Sequence, residues 1–299
     1  MGLTAIVLGA AAGGGFPQWN CNCDVCRLAW AGDQRVRART QASLAVSSDR
    51  KHWTLLNASP DLRTQIQASP ALHPRDLRAS PITSVVLTGA EIDQTAGLLS
   101  LRERSSFTIM ATATTLAAVA DNPMFGALAA DVVSRRAIFP GQRFRLAGGL
   151  EAELFMVPGK VPLYLEGENP ETAEETAANV GVEITDGDKQ LAYVPGAAAV
   201  TPALRQRLSR ADVILFDGTL FTDDEMIRSG TGTKAGRRMG HMPIDGEGGS
   251  LAALQGLSAR KIFVHINNTN PILVDGSPER RRVETAGWEV AEDGMEIAL

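Results

Sequence analysis

The chain has 299 residues, with 29 Lys+Arg against 34 Asp+Glu, a net charge of −5 and 44% hydrophobic residues. That length allows one large domain or two small ones, and the composition is that of a globular rather than a disordered chain. The acidic balance gives no electrostatic reason to bind nucleic acid or an anionic membrane, and no apolar run approaches the roughly 20 residues needed to span a bilayer.

Residues 4–8 (TAIVL) read as a buried strand that runs into a glycine-rich turn over 9–15. The short apolar start lacks a basic stretch before it, which predicts no secretory signal and a cytoplasmic location. The turn does not match GxGxxG, and no P-loop Lys-Ser/Thr follows. It is expected to be a tight turn with positive φ angles, open to close backbone approach, rather than a nucleotide site. Strands are predicted over 40–46 and 53–57, a polar helical stretch from Asp61 to about 68, a β-branched strand over 84–87 and a helix over 98–103. A strand over 107–111, a helix over 114–120 and further strands within 143–157 follow. Residues 166–178, rich in Glu, Asn and Ala, are expected to be a flexible surface excursion, with 171–175 a solvated face. Strands over 180–185, 191–194 and 213–216, a helix over 250–257 and a strand over 261–264 complete the series. Strands alternate with helices, but several neighbours have short connections. That mix predicts an α+β, four-layer αββα sandwich rather than a doubly wound sheet, with no repeat and no long linker.

All three cysteines lie in Cys21-Asn22-Cys23-Asp24-Val25-Cys26. In a reducing compartment this crowding favours metal ligation over disulfides. Three thiolates and one remote ligand would complete a tetrahedral Zn²⁺ site. Reduced thiols without a metal are the alternative. A redox CxxC lacks its usual thioredoxin-like context.

Thr88-Gly89-Ala90-Glu91-Ile92-Asp93-Gln94, with Gly97-Leu98 behind it, resembles the T-H-x-H-x-D-H motif of the metallo-β-lactamase superfamily. Gly89, Glu91 and Gln94 stand at its three histidine positions, and Asp93 alone matches. Carboxylates combined with imidazole suit Fe²⁺, Mn²⁺ or a single zinc. The alternative is that Glu91 and Asp93 merely cap the following helix. By the same resemblance, Asp217 falls where a metal-bridging aspartate sits, and His265 where the final metal histidine sits. His241 matches a histidine serving acid/base chemistry in related phosphodiesterases and tRNA-processing nucleases, and Asp61 a supporting aspartate. The middle histidine should fall near 157–162, where none is present.

Together with Gly13-Gly14-Gly15, Pro17-Gln18-Trp19-Asn20-Cys21, Asn57-Ala58-Ser59-Pro60-Asp61, Val157-Pro158-Gly159-Lys160-Val161-Pro162-Leu163, Phe216-Asp217-Gly218-Thr219, Met239-Gly240-His241-Met242 and His265-Ile266-Asn267-Asn268-Thr269-Asn270-Pro271, these segments resemble the PqqB family of pyrroloquinoline quinone (PQQ) biosynthesis B proteins from residue 3 to about 299. The resemblance implies a single metallo-β-lactamase-like domain over 1–299, with an N-terminal zinc-binding loop at about 13–30, and a cytoplasmic place in PQQ assembly. The family is viewed as an iron-dependent hydroxylase of the tyrosine part of a glutamate–tyrosine precursor, and was earlier described as a carrier in transport of PQQ or its precursor. Family members often keep a histidine where this chain has Gln94. Their cysteine trio is read as a structural zinc site, whose fourth ligand in related phosphodiesterases corresponds to Asn268.

On this basis Asp93, Asp217 and His265 are expected to hold Fe²⁺ or another divalent metal, with Glu91 as a fourth ligand. Gln94 would ligate weakly or bond a metal water. Asp61 would orient ligands. His241 would shuttle protons or make a structural hydrogen bond. Lys160 and Arg102 would meet substrate carboxylates or remain solvent-exposed charges. A metal-dependent hydrolase and a non-catalytic carrier are the alternatives. The expected partner is a small-molecule or peptide-derived PQQ precursor, with no nucleic acid and no membrane insertion. A homodimer through the sheet edges is compatible with such a sandwich. His52 and His73 are expected at the surface without a role.

Overall fold

The computed structural model describes residues 2–167 and 172–299. Its first sheet contains β1 (Thr4–Gly9), β2 (Ser43–Ser47), β3 (Trp53–Leu56), β4 (Ile82–Val86), β5 (Phe107–Ala111) and β6 (Val133–Ala137). Its second contains β7 (Arg143–Arg145), β8 (Glu151–Pro158), β9 (Glu175–Thr185), β10 (Gln190–Val194), β11 (Val213–Asp217), β12 (Arg260–Val264) and β13 (Trp288–Val290). The last strand, β14 (Glu296–Ala298), returns to the first sheet beside β1. The strand orders are β14-β1-β2-β3-β4-β5-β6 and β13-β12-β11-β10-β9-β8-β7. Each sheet is antiparallel on one side and parallel on the other. β11 and β12 are therefore parallel neighbours whose C-terminal ends open at one rim.

The apolar residues of these strands face two ways. Leu44 and Val46 of the first sheet meet Leu154, Val182, Tyr193, Leu215 and Ile262 of the second in the inter-sheet core. On the outer face of the first sheet, Trp53, Leu55 and Ile109 are covered by Leu62 of α2 (Leu62–Ala68) and Val119 of α4 (Ala113–Ala120). On the outer face of the second, Phe263 stacks on Trp288 at 4.0 Å between ring centroids. Leu204 and Leu208 of α5 (Pro202–Leu208) and Val283 of α8 (Pro278–Thr285) cover this face. The result is the four-layer αββα sandwich that the strand spacing predicts. α5 and α8 have clear local causes: Thr201 and Ser277 accept from the N–H three residues on, and a proline follows each cap. The remaining helices are short: α1 (Asp24–Trp30), α3 (Ile92–Thr95), α6 (Glu225–Arg228) and α7 (Ser250–Ala253).

Several expectations shift. The predicted helix over 250–257 ends at Ala253, and Gly256 turns the chain with φ of 79°. Of the expected helix over 98–103, residues 98–101 form the end of a 3₁₀ helix over Ala96–Leu101, and 102–103 are a turn. Of the expected excursion over 166–178, residues 168–171 lie outside the described residues. Residues 175–178 belong to β9, because they pair with the end of β8. Residues 173–175 are exposed, as a solvated face requires. No helix among the described residues is long and apolar enough to cross a membrane.

The approach to the rim is tight at Gly97. Its N–H donates to Ala58 O at 2.8 Å, and a Cβ there would stand 2.1 Å from Ser59 O and 2.8 Å from Ala58 O. Gly97→Ala should therefore destabilise the fold by about 1–3 kcal/mol in urea unfolding. Gly126→Ala, where nothing lies within 4 Å of the added carbon, should stay within about 0.5 kcal/mol of the parent.

Candidate metal centre

Asp217 ends β11, and His265 follows the last residue of β12. The register pairs Asp217 with Val264, so the two side chains emerge at the same rim. His265 adopts a left-handed backbone with φ of 55°, sparsely populated for a residue with a Cβ. The carboxylate of Asp217 is fully buried. Its Oδ2 accepts from Ala197 N at 2.9 Å and meets His241 Nδ1 at 2.7 Å. Its Oδ1 accepts from Thr219 N at 3.0 Å and Thr219 Oγ1 at 2.6 Å. The Thr219 hydroxyl also lies 2.8 Å from His265 Nδ1 and 3.1 Å from His241 Nδ1. The two imidazoles stack, with centroids 5.1 Å apart. His265 Nε2 meets Asp93 Oδ2 at 2.9 Å.

Three donor atoms, one each from Asp217, His241 and His265, lie within 4.8 Å of one another. Asp93 joins them through His265. Burial works to raise the carboxyls of Asp93 and Asp217, but the imidazoles beside them hold both below the ordinary range. Burial likewise works to lower His265, and the carboxylate of Asp93 outweighs it and raises the imidazole.

The structure brings Asp93, Asp217 and His265, expected together as metal ligands, to one rim. His241, expected beside the donors as a proton shuttle or in a structural hydrogen bond, meets the buried Asp217 carboxylate directly through Nδ1 and is itself one of the grouped donors. Glu91 moves the other way. Its Oε1 accepts from Lys160 Nζ at 3.2 Å and Leu163 N at 3.1 Å, so it is engaged by a neighbouring segment rather than by the imidazoles. Gln94 is also engaged, because its Oε1 accepts from Glu91 N at 3.1 Å. A Cβ on Gly89 would stand 2.5 Å from that oxygen, so Gly89 leaves the space that the Gln94 amide fills. The three altered histidine positions thus form a local knot at the start of α3.

Asp61 does not line the cavity. Its Oδ2 accepts from the N–H and amide of Gln41 at 2.9 and 3.0 Å, and Gln41 Oε1 accepts from Gly14 N at 3.1 Å. It therefore positions the glycine-rich turn, in which Gly14 and Gly15 have positive φ. That turn brings Gly13 against Asp93, as its expected close approach allows. Arg102 is exposed, away from the cavity, and donates to Leu99 O at 2.9 Å. His52 and His73 are exposed, as expected. A cavity of about 830 Å³ opens above the centre, with Asp93, Thr219, His241 and His265 at its base and Lys160 and Tyr164 on its wall.

A second donor cluster meets Asn268, three residues beyond His265. The sulfurs of Cys21, Cys23 and Cys26 fall within 4.8 Å of one another. Cys23 caps α1, with its Sγ accepting from Cys26 N at 3.5 Å. Asn268 Nδ2 lies 3.1 Å from Cys21 Sγ, 3.3 Å from Cys26 Sγ and 3.9 Å from Cys23 Sγ. Burial pushes the Cys23 thiol up to about 12 and raises Cys26. At Cys21, burial is outweighed by hydrogen bonds led by the Cys23 N–H, and that thiol is lowered. Ionising all three thiols together requires a cation among them. Turning the Asn268 amide over would present Oδ1 as a fourth donor, so the trio with Asn268 fits a divalent ion.

An αββα sandwich with metal donors at the strand ends defines a member of the metallo-β-lactamase superfamily, and residues 52–266 match the family described as beta-lactamase superfamily domain. A coenzyme PQQ synthesis protein B from Methylobacterium nodulans is 56% identical over 299 residues, covering 99% of this chain and 100% of that protein. A protein of the same description from Methylorubrum extorquens is 55% identical over 296 residues, covering 98% of this chain and 99% of that protein. The crystal structure of Zn²⁺-bound PqqB from Methylobacterium extorquens superposes with a TM-score of 0.97 at 55% identity, covering 99% of this chain and all of that one. The chain belongs to the coenzyme PQQ synthesis protein B family. A diphosphatase of the PhnP family shares the fold, with a TM-score of 0.70 at 19% identity and coverage of 99% and 98% of the two chains.

The roles of Thr219 and Glu225 carry no mark in the sequence. Thr219 is visible only as the residue two beyond Asp217. Glu225 opens a short helix, and its carboxyl accepts from Phe221 N and Thr269 Oγ1, each at 2.6 Å. Asn267, on the cavity wall, donates to the same Thr269 hydroxyl at 2.6 Å. Burial pushes Glu225 up from its ordinary 4.5 to about 7. The native state then binds the proton more tightly than the unfolded chain. Glu225 therefore removes stability as pH rises from about 4.5 to 7, by a total of about 3 kcal/mol. Urea midpoints of Glu225→Gln, compared with the parent from pH 5 to 8, should lack that fall.

Proposed function

We propose that this chain acts in PQQ synthesis as a metal-dependent hydroxylase of the tyrosine part of a glutamate–tyrosine precursor. The observation that carries this reading is the contact between His265 Nε2 and Asp93 Oδ2 at 2.9 Å. The short approach of Thr219 Oγ1 to Asp217 Oδ1 fits donation by the hydroxyl, whose oxygen then accepts from His265 Nδ1–H. With a proton on Nδ1, His265 Nε2 faces the Asp93 carboxylate either as an N–H or as a lone pair that shares a cation with it. Two acceptors at this distance require a proton or a cation between them. Asp217 plays the same part for His241, holding a proton on Nδ1 and freeing Nε2.

Two imidazoles with Asp217, and Asp93 beside them, match in composition the 2-His-1-carboxylate set that suits non-haem Fe²⁺. When bound, that ion would supply O₂ chemistry for placing oxygen on the phenol ring. Glu91 and Gln94 are left out of the proposed ligand set, being engaged with Lys160, Leu163 and each other. Asp93, Asp217, His241 and His265 would hold the ion. Thr219 would orient both imidazoles, and Lys160 would face a substrate carboxylate. The cavity volume suits a dipeptide-sized ligand. Two-metal hydrolysis has less support, because the knot of Gly89, Glu91 and Gln94 replaces the imidazoles such a pair needs. The cysteine trio with Asn268 would hold a structural Zn²⁺ that ties the N-terminal loop to the strand carrying His265. Three reduced cysteines suit a cytoplasmic setting.

The test loads Fe²⁺ anaerobically, then adds O₂, ascorbate as reductant and the glutamate–tyrosine precursor. Mass spectrometry should find ring-hydroxylated product. Asp217→Asn should lower it at least about a hundred-fold, and Thr219→Val about 10–100-fold, with Thr219→Ser recovering most of the loss. Tight metal binding without product would refute the reading. Precursor or finished PQQ bound unchanged would then favour the carrier.

A further inference from the structure

Glu166 is the most crowded carboxylate on the cavity wall. It lies in the segment 159–167, which leaves Leu163, Tyr164 and Leu165 half exposed. That segment is fastened by Tyr164 Oη donating to Ala90 O at 2.8 Å and by the Leu163 N–H on Glu91. The Glu166 side chain is nonetheless only 7% exposed, because three cations surround it. Lys160 Nζ donates directly to its Oε1. Lys234 Nζ stands 3.5 Å and Arg238 Nη1 3.6 Å from its Oε2. Lys234 and Arg238 come from the loop after α6, remote in sequence from Glu166. Glu91 partly neutralises Lys160 at 3.2 Å.

A single structural ion pair needs one cation. Three cations drawn from two segments onto one carboxylate make a concave anion site, and Glu166 and Lys234 both line the cavity above the imidazoles. We propose that Lys160, Lys234 and Arg238 form a carboxylate-recognition subsite that Glu166 fills in the ligand-free chain, and that a carboxylate of the substrate enters by exchanging with it. Exchange leaves no cation stranded, since one carboxylate replaces another. A ligand without a carboxylate gains nothing from displacing Glu166, because Lys160 and Lys234 would each lose a carboxylate contact that nothing replaces. The subsite thus selects acidic aromatic ligands over neutral ones of the same shape. Glu166 sets the threshold as an internal competitor.

The inference deepens the hydroxylase reading by naming a substrate group, but its test needs no iron and no turnover. The probes are 3-(4-hydroxyphenyl)propionate and its neutral amide, titrated by calorimetry into the full chain. Glu166→Gln should tighten the carboxylate probe about ten-fold and leave the amide unchanged. Lys234→Gln with Arg238→Gln should weaken the carboxylate probe about ten-fold, again sparing the amide. Thermal melts of each variant show that it is folded. Lys234→Gln alone, with an intermediate weakening, serves if the double variant is not. Equal binding of the two probes, or a carboxylate affinity indifferent to Glu166, would overturn the subsite and leave Glu166 a structural ion pair. Expected binding in a protein that makes no hydroxylated product would sink the hydroxylase reading and leave the subsite standing.

Discussion

A carboxylate without solvent, Asp217, governs the rim of this molecule. It sits at the end of a strand buried in the second sheet, and both oxygens are occupied by Ala197 N, Thr219 and His241. An ionised group in that position is stable only with donors and positive charge around it. The surroundings meet that need with two stacked imidazoles and a hydroxyl. The parallel pairing of β11 and β12 makes the arrangement possible, because it delivers Asp217 and His265 to the same end of the sheet from residues far apart in the chain. Asp93 reaches the same point from the first sheet. The centre therefore bridges the two halves of the sandwich.

The loop of residues 265–270 couples this centre to its surroundings. His265 faces His241, Asn267 the cavity, Asn268 the cysteine trio and Thr269 the buried Glu225. Ala12 N donates to Ile266 O at 2.8 Å, which joins the glycine-rich turn to the same loop. An ion among the cysteines would thus fix the loop that aims His265. In physical terms an ion among the cysteines would then support the other centre rather than act as a separate device.

Much of this was legible in the sequence. Period-two strands, the crowded cysteines and the positions of Asp93, Asp217 and His265 follow from local chemistry and from the resemblance. What escaped was side-chain direction. Glu91 looks like a ligand in the motif, but Lys160 and Leu163, about seventy residues on, turn its carboxylate aside. His241 carries no local mark of its contact with Asp217, and Asp61 none of its grip on Gln41. Each is decided by a neighbour that only the folded chain supplies. The missed helices α5 and α8 are a different failure, since Thr201-Pro202 and Ser277-Pro278 are readable start signals.

The proposed function needs two cation sites of different chemistry, one of sulfur and one of imidazole and carboxylate. Anomalous diffraction at the iron and zinc edges, from crystals of protein loaded with Fe²⁺ and Zn²⁺ under anaerobic conditions, addresses it most directly. The predicted result is zinc among Cys21, Cys23, Cys26 and Asn268, with iron touching His241, His265, Asp217 and Asp93. An ion held by Glu91 and Gln94, or no ion beside Asp217, would contradict it.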